Sequence, residues 1–177
     1  DILFSVQKET FVIRLWMNKS QRKWKQQIGP TKVNRYESLK TADINGDGHM
    51  DIIAANSTSD VTAGIQVWLG NGKGGWLREA GPTTMGRYMG VAQADLNQDG
   101  FPDIVGAGWG PHGAVRVWLG HGNGSWAATA PLVRGSYYGV NVGDINGDGK
   151  LDIIAAAYRN GVQIFMGDGR GAFQMVR

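Results

Sequence analysis

The segment Asp43-Ile-Asn-Gly-Asp-Gly-His-Met-Asp51 recurs twice along the chain, as Asp95-Leu-Asn-Gln-Asp-Gly-Phe-Pro-Asp103 and as Asp144-Ile-Asn-Gly-Asp-Gly-Lys-Leu-Asp152. The first aspartates of these segments are 52 and then 49 residues apart. Self-similarity at such a period is the sequence signature of a repeat architecture. The chain is therefore expected to consist of repeated units built around these nine-residue segments, which we call the acid loops.

Each acid loop is flanked by the same series of strand signals. In the first unit a Tyr-led strand starts at Tyr36, and the loop leads into the apolar run Ile52-Ile-Ala-Ala. The alternating strand Ile65-Gln-Val-Trp-Leu-Gly follows, and the glycine turn Asn71-Gly-Lys-Gly-Gly-Trp76 opens a fourth strand. No segment shows a helical period, so four short strands per unit are predicted. Aromatic residues that repeat in register are expected to pack between units: Tyr36, Tyr88 and Tyr137, with Trp16, Trp68, Trp118 and Phe165.

The acid loops have the composition of a site for a hard cation. Oxygen-bearing side chains stand at positions 1, 3, 5 and 9, and the Gly at position 6 permits a sharp bend. An all-oxygen donor set favours Ca²⁺ over Zn²⁺ or Cu²⁺, and Mg²⁺ prefers fewer protein ligands and more water. The alternative is a solvated, Asx-rich turn that needs no metal. Three loops in register favour the metal site.

The acid loops, the Ile/Val-Ala strands and the Gly-x-Gly-x-x-Trp/Phe turns resemble FG-GAP/VCBS repeats. Such repeats build the calcium-bearing β-propellers of integrin α chains, of a mushroom lectin and of many bacterial surface proteins. The resemblance covers nearly the whole chain and is weakest in residues 6–35, where the glycine turn is lost. It implies up to three Ca²⁺ ions, with backbone carbonyls alone from His49, Phe101 and Lys150. The side-chain ligands it implies are Asp43, Asn45, Asp47 and Asp51; Asp95, Asn97, Asp99 and Asp103; and Asp144, Asn146, Asp148 and Asp152.

The expected fold is all-β, a partial β-propeller of about 3.75 blades with four antiparallel strands per blade. Residues 1–177 form one domain with blades at approximately 1–35, 36–87, 88–136 and 137–177. The first blade lacks its first strand, which leaves about 15 strands. Three forms of closure stay open: a compact four-bladed ring, further blades of a longer chain, or a homodimer in which two chains complete one ring.

Composition excludes several classes of function. The chain has no Cys, which excludes a disulfide framework, a thiol nucleophile and a thiolate metal site. No stretch approaches the roughly 20 apolar residues of a membrane helix, so no membrane span is expected. The basic N-terminal segment around Arg22 and Lys23 is modest and mixed with strand-like apolar residues, which indicates a solvated edge. No nucleic-acid partner is therefore expected.

Strand parity assigns the acid loops and the glycine turns to one face of the propeller. The irregular loops between the second and third strands, and those between blades, lie on the opposite face, where binding usually occurs on a rigid scaffold. Trp109 and Tyr158 hold equivalent positions there, and aromatic rings beside polar side chains suit sugar stacking. Alternatively these rings cap the central channel or pack between blades. The candidate ligand-binding residues are Asn56, Arg87, Trp109, His112, Arg134, Tyr158, Arg159 and Asn160.

The expected function is non-enzymatic recognition or adhesion, lectin-like, with a glycan or a protein as ligand. No nucleophile–base signature appears, and the three Glu residues are neither repeated nor paired. Calcium modules of low affinity work where calcium is millimolar, so a secreted, cell-surface or periplasmic location is expected. Two alternatives are a purely structural segment of a larger surface protein and part of a polysaccharide lyase, since some of these enzymes use similar calcium propellers.

Overall fold

The computed structural model describes residues 2–5, 13–18, 24–29, 34–58 and 64–176. These residues form β-strands, turns and loops, as the sequence predicts. No helix among them is long and apolar enough to cross a membrane.

The strands form four antiparallel sheets of consecutive strands, which we number as blades 1 to 4. Each sheet runs outward from its first strand in chain order. Blade 1 holds β1 (Ile2–Ser5), β2 (Ile13–Asn18) and β3 (Trp24–Ile28); blade 2 holds β4 (Tyr36–Ala42), β5 (Asp51–Asn56), β6 (Ile65–Gly70) and β7 (Trp76–Thr83). Blade 3 holds β8 (Arg87–Ala94), β9 (Asp103–Trp109), β10 (Ala114–Gly120), β11 (Trp126–Ala128) and β12 (Val133–Arg134); blade 4 holds β13 (Tyr137–Gly143), β14 (Asp152–Ala157), β15 (Gly161–Gly167) and β16 (Phe173–Val176).

The described residues contain sixteen strands rather than about 15, because the outer strand of blade 3 is divided. Both β11 and β12 pair with β10. Between them, the backbone N–H groups of Thr129 and Leu132 still donate to carbonyls of β10. Pro131 lies in this gap and has no N–H to donate, which is a physical reason for the interruption.

Blade 1 is described only in part. Its three strands pair in the order β1, β2, β3, in agreement with a first blade of three strands. The polar, basic turn expected between β2 and β3 includes residues 19–23, which lie outside the described residues. The same holds for Asp1 and for residues 59–63 of the first irregular loop.

Neighbouring blades pack through the aromatic residues that repeat in register. Tyr88 and Trp118 of blade 3 meet edge to face at 5.8 Å and pack against Ile53 and Ile65 of blade 2. Because β5 and β9 are covered on both faces, they are apolar without alternation. The expected inter-blade core is confirmed at every full blade, and Trp16 of blade 1 is only partly buried. The equivalent core residues are Tyr36 and Trp68 in blade 2, and Tyr137 and Phe165 in blade 4.

Blade 4 leaves one face uncovered. In blade 2, Ile44 and Ile65 are 2% and 1% exposed because blade 3 packs over them. The equivalent residues of blade 4, Ile145 and Val162, are 45% and 66% exposed. Completion of the ring, by further blades or by a second chain, stays a prediction.

Candidate functional site

The acid loops are organised by their first aspartate. Asp43 Oδ1 accepts hydrogen bonds from the backbone N–H of Gly46 at 2.8 Å and of Asp47 at 3.1 Å, and its Oδ2 accepts one from Gly48 at 2.8 Å. Gly46 and Gly48 have φ of 74° and 81°, and this left-handed backbone turns successive N–H groups toward the carboxylate. Asp144 accepts the three equivalent bonds in the third loop, and Asp95 accepts two of them in the second loop, from Asp99 and Gly100.

The aspartate at position 9 ties each acid loop to the sheet. Asp103 is fully buried; its Oδ2 accepts from the N–H of Leu96 at 2.7 Å, and its Oδ1 accepts from the N–H of Gly120 at 2.7 Å. Leu96 is the second residue of the acid loop and Gly120 ends the third strand of the blade. One carboxylate therefore fastens the loop to the start of the glycine turn. Asp51 and Asp152 make the same pair of bonds.

The acidic groups of one loop differ in their electrostatics. Burial raises the pKa of the Asp51 and Asp103 carboxyls; the donating amides oppose this, and the aspartates at positions 1 and 5 add to it by repulsion. The pKa of Asp47 and of Asp148 is lowered, mainly because the backbone N–H at position 7 donates to each, with the neighbouring Asn amide second. In the first two acid loops the aspartates are thus close enough to repel one another.

The side chains at position 7 cover the glycine turns. A Cβ added to Gly72 would lie 2.7 Å from the imidazole of His49, and one added to Gly122 would meet the ring of Phe101. Lys150 lies against the third turn in the same way, and its Nζ is 3.7 Å from Asp148 Oδ2. Because these side chains pack against the glycine turns, only the backbone carbonyls at position 7 remain available for the calcium ligation predicted from the sequence.

The donor chemistry of the acid loops fits a hard cation. Within the described residues, no three His, Asp or Glu side chains converge as a metal-binding group, and backbone amides hold the carboxylates instead. A carboxylate has about four lone-pair positions, and Asp43 uses three of them. Each loop thus combines unused carboxylate lone pairs, one amide oxygen and mutual repulsion among its aspartates. Calcium occupancy stays a prediction.

Three aromatic rings form a patch at the opposite ends of blades 3 and 4. The ring centroids of Trp109 and Tyr138 are 4.8 Å apart, those of Trp109 and Tyr158 are 5.3 Å apart, and those of Tyr138 and Tyr158 are 5.9 Å apart. Tyr138 is 53% exposed and Tyr158 is 40% exposed, whereas Trp109 is partly buried beneath them. We call Trp109, Tyr138 and Tyr158 the aromatic patch.

Ser136 holds the segments that carry the aromatic patch. Its hydroxyl accepts from the N–H of Gly110 at 3.0 Å, just after β9, and its carbonyl accepts from the N–H of Tyr158 at 2.8 Å, just after β14. Tyr138 lies at a β-bulge, where the pairing shifts between Tyr137 and Gly139. Such a bulge re-aims a side chain.

The aromatic patch does not belong to the repeated core. The residues of blade 2 equivalent to Tyr138 and Tyr158 are Glu37 and Ser57, and Ser57 Oγ donates to Glu37 Oε1 at 2.7 Å. A polar pair therefore occupies in blade 2 the position that an aromatic pair occupies in blade 4. Sequence reasoning identified Trp109 and Tyr158 and missed Tyr138, whose only signal was a second Tyr after the core Tyr137.

The remaining candidate ligand residues divide between two blade junctions. Arg159 lies beside the patch, with its guanidinium carbon 4.9 Å from the centroid of the Tyr158 ring. Asn160, His112 and Arg134 are exposed at the same end of blades 3 and 4. Two candidates belong elsewhere: Arg87 donates to the Ser57 carbonyl at 3.0 Å, and Asn56 is fully buried. Burial removes Asn56 from the surface available to a ligand, which corrects that expectation.

Comparison with known proteins agrees with the repeat architecture. The FG-GAP-like repeat family matches residues 43–106 and 95–155, which together span more than half of the chain. Each match contains two successive acid loops and the strands between them. No curated protein matches the chain. The chain belongs to the FG-GAP-like repeat family.

Proposed function

We propose that this protein is a non-enzymatic, calcium-stabilised recognition module that binds a glycan through the aromatic patch. The observation that carries the proposal is the grouping of three rings within 4.8–5.9 Å on the face opposite the acid loops, with two rings about half exposed. Aromatic faces pack well against the apolar face of a sugar, and the Tyr hydroxyls can bond to its hydroxyls. FG-GAP repeats are typical of extracellular or surface proteins, and an extracellular or cell-surface location, secreted or periplasmic included, is part of the proposal.

The size of the aromatic patch favours a sugar over a folded protein. A whole aromatic side chain offers about 150–250 Å², so three partly exposed rings offer a few hundred Å². A stable protein interface buries about 800 Å² on each partner. One or two sugar rings fit this area without help from other surfaces. A protein ligand in an adhesion role is the second candidate, because the uncovered face of blade 4 offers further apolar area.

Calcium would be held by the acid loops. In the first loop the ligands would be the side chains of Asp43, Asn45, Asp47 and Asp51 and the carbonyl of His49. The ion would neutralise aspartates that repel one another and brace the turn between the first two strands of a blade. At free calcium about ten times Kd, each site would contribute about 1.4 kcal/mol to stability. Extracellular calcium modules have Kd of roughly 10⁻⁴–10⁻³ M.

The test is a glycan-array scan in millimolar calcium and again in EDTA. Wild-type protein should bind a defined set of sugars, and Tyr158→Ala should weaken binding roughly ten-fold, because burying one ring contributes about 1.5–3 kcal/mol. Tyr158→Phe keeps the ring and should retain most of the affinity. Leu77→Ala is the matched control, since Leu77 is 63% exposed on the outer strand of blade 2.

Two outcomes would contradict parts of the proposal. If the protein binds no sugar on the array in either buffer, although its melting temperature is higher in calcium than in EDTA, the glycan ligand would be rejected. That result would favour a protein partner or a structural role. An unchanged melting temperature on adding calcium would reject the cation. Shortened or unsaturated oligosaccharides after incubation would show turnover and favour the lyase alternative over a non-enzymatic module.

A further inference from the structure

Arg159 is a charged group placed at the edge of the aromatic patch. Its φ of 68° is left-handed, which is unusual for a residue with a side chain and belongs to the turn between β14 and β15. Its guanidinium lies 4.9 Å from the centroid of the exposed Tyr158 ring. In the part of the chain that the structure describes, Arg159 forms no ion pair. The turn thus presents an unpaired cation next to the rings.

The acid-loop face is rich in aspartates, whereas the described residues at the end that carries the aromatic patch include arginines without an ion pair. Nine aspartates lie in the three acid loops on one face. At the opposite ends of blades 3 and 4, Arg134 and Arg159 are exposed without an ion pair among the described residues. Glu37 of blade 2 is a described acidic residue at the same end. Its carboxylate already forms an ion pair with Arg35 and accepts a hydrogen bond from the Ser57 hydroxyl. Among the described residues at this end of blades 3 and 4, the exposed charges without an ion pair are therefore positive.

We propose that the glycan bound at the aromatic patch carries an anionic substituent, a carboxylate or a sulfate, which pairs with Arg159. The inference rests on the proposed glycan-binding function and specifies its ligand class. The planar fork of a guanidinium matches a carboxylate or a sulfate with two parallel hydrogen bonds. The exposed arginines at this end of blades 3 and 4, Arg159 beside the rings and Arg134, offer hydrogen-bond donors and positive charge, which suits an acidic sugar better than a neutral one. The Tyr158 ring beneath the guanidinium restricts its motion and so lowers the entropy lost on binding.

The experiment compares matched acidic and neutral sugars on the intact chain by calorimetry, in constant calcium. Short oligogalacturonates and their methyl esters form the carboxylate arm, and short carrageenan and agarose oligomers form the sulfate arm. Wild-type protein should bind the acidic member of at least one pair roughly ten-fold more tightly than its neutral partner. Which arm responds identifies the substituent. Raising the salt concentration should weaken acidic binding and leave neutral binding unchanged.

Arg159→Gln should remove the preference for the acidic member, and Arg159→Lys should retain part of it, since the charge remains without the fork. Arg170→Gln is the matched control, because Arg170 is exposed in a glycine turn on the acid-loop face. Melting temperatures of all variants in calcium check that each is folded.

Equal binding of acidic and neutral members, reduced by Tyr158→Ala but not by Arg159→Gln, would overturn this inference and leave the glycan-binding function standing. If folded protein binds no acidic or neutral sugar in either arm, both this inference and the proposed glycan-binding function would be overturned. An equal loss in Arg159→Gln and Arg170→Gln would indicate a non-specific charge effect and would overturn the role of Arg159.

Discussion

Replacing Asp103 by Asn separates the structural role of the position 9 aspartate from its predicted role as a calcium ligand. The buried Asp103 carboxylate accepts two backbone N–H groups, from Leu96 and Gly120, each at 2.7 Å. An Asn side chain keeps one acceptor oxygen and turns an NH₂ group toward the other N–H. One buried donor is then left unpaired, which costs about 1–3 kcal/mol. Relief of a buried charge offsets part of this, so we expect a net loss of only about 1 kcal/mol at neutral pH without calcium.

The assay is equilibrium urea unfolding in EDTA, with Asp99→Asn as the control. Asp99 lies in the same acid loop, loses the same charge and is exposed, so its replacement should change the free energy of unfolding by less than about 0.5 kcal/mol. In millimolar calcium both variants should lose part of the calcium-dependent gain if the loop binds the ion. Equal stability of the two variants in EDTA would refute the reasoning, because the buried bonds would then contribute nothing of their own.

Further predictions concern pH, packing and strain. In EDTA, burial raises the pKa of Asp103, so the stabilising contribution of this group is complete below the unfolded pKa and is lost as pH rises through the folded pKa. The stability of wild type relative to Asp103→Asn should therefore fall as pH rises above the unfolded pKa of about 3.9, and a rise in urea titrations would contradict this. Gly106→Ala should lower the free energy of unfolding by about 1–3 kcal/mol, because the added Cβ would lie 2.9 Å from three side chains in the core between blades 2 and 3. Gly139→Ala is the control, since a Cβ there would have no atom within 4 Å. Equal losses of stability in the two variants would disprove the packing argument. Gln98→Gly should relieve about 1–2 kcal/mol of backbone strain at φ 61°, but it removes the exposed hydrogen bond from Gln98 Nε2 to the Gly149 carbonyl. The expected net result is a gain of up to about 1 kcal/mol in the free energy of unfolding. A clear loss of stability would show that this bond between two acid loops outweighs the strain.

The repeat made the blades predictable from sequence. Three copies of the acid loop located the repeats, and a Tyr-led strand before each copy and an apolar strand after it left one antiparallel order for the sheet. The one departure, the division of β11 from β12, depended on where Pro131 falls in the outer strand of blade 3. Outer strands pack on one side only, so a local interruption costs little there and the repeat pattern does not report it.

Predictability was lower for the candidate binding surface. Trp109 and Tyr158 could be selected because they occupy equivalent positions in irregular loops. Tyr138 could not, because strand alternation after Tyr137 says nothing about a β-bulge that turns the next residue toward a neighbouring blade. Asn56 was wrongly included since its polar side chain and loop position suggest exposure, whereas it is fully buried at the end of β5.

The sequence by itself determined the features that are local and periodic: the all-β blades, the acid loops with their oxygen donors, and the aromatic residues of the inter-blade core. These follow from side-chain spacing along single strands and turns. Only the tertiary structure decided which side chains from different blades meet. Ser136 joins the ends of β9 and β14, which brings Trp109 of one blade to Tyr138 and Tyr158 of the next. Such contacts depend on how one twisted sheet stacks on another, and that relation is not encoded in the spacing of residues within either sheet.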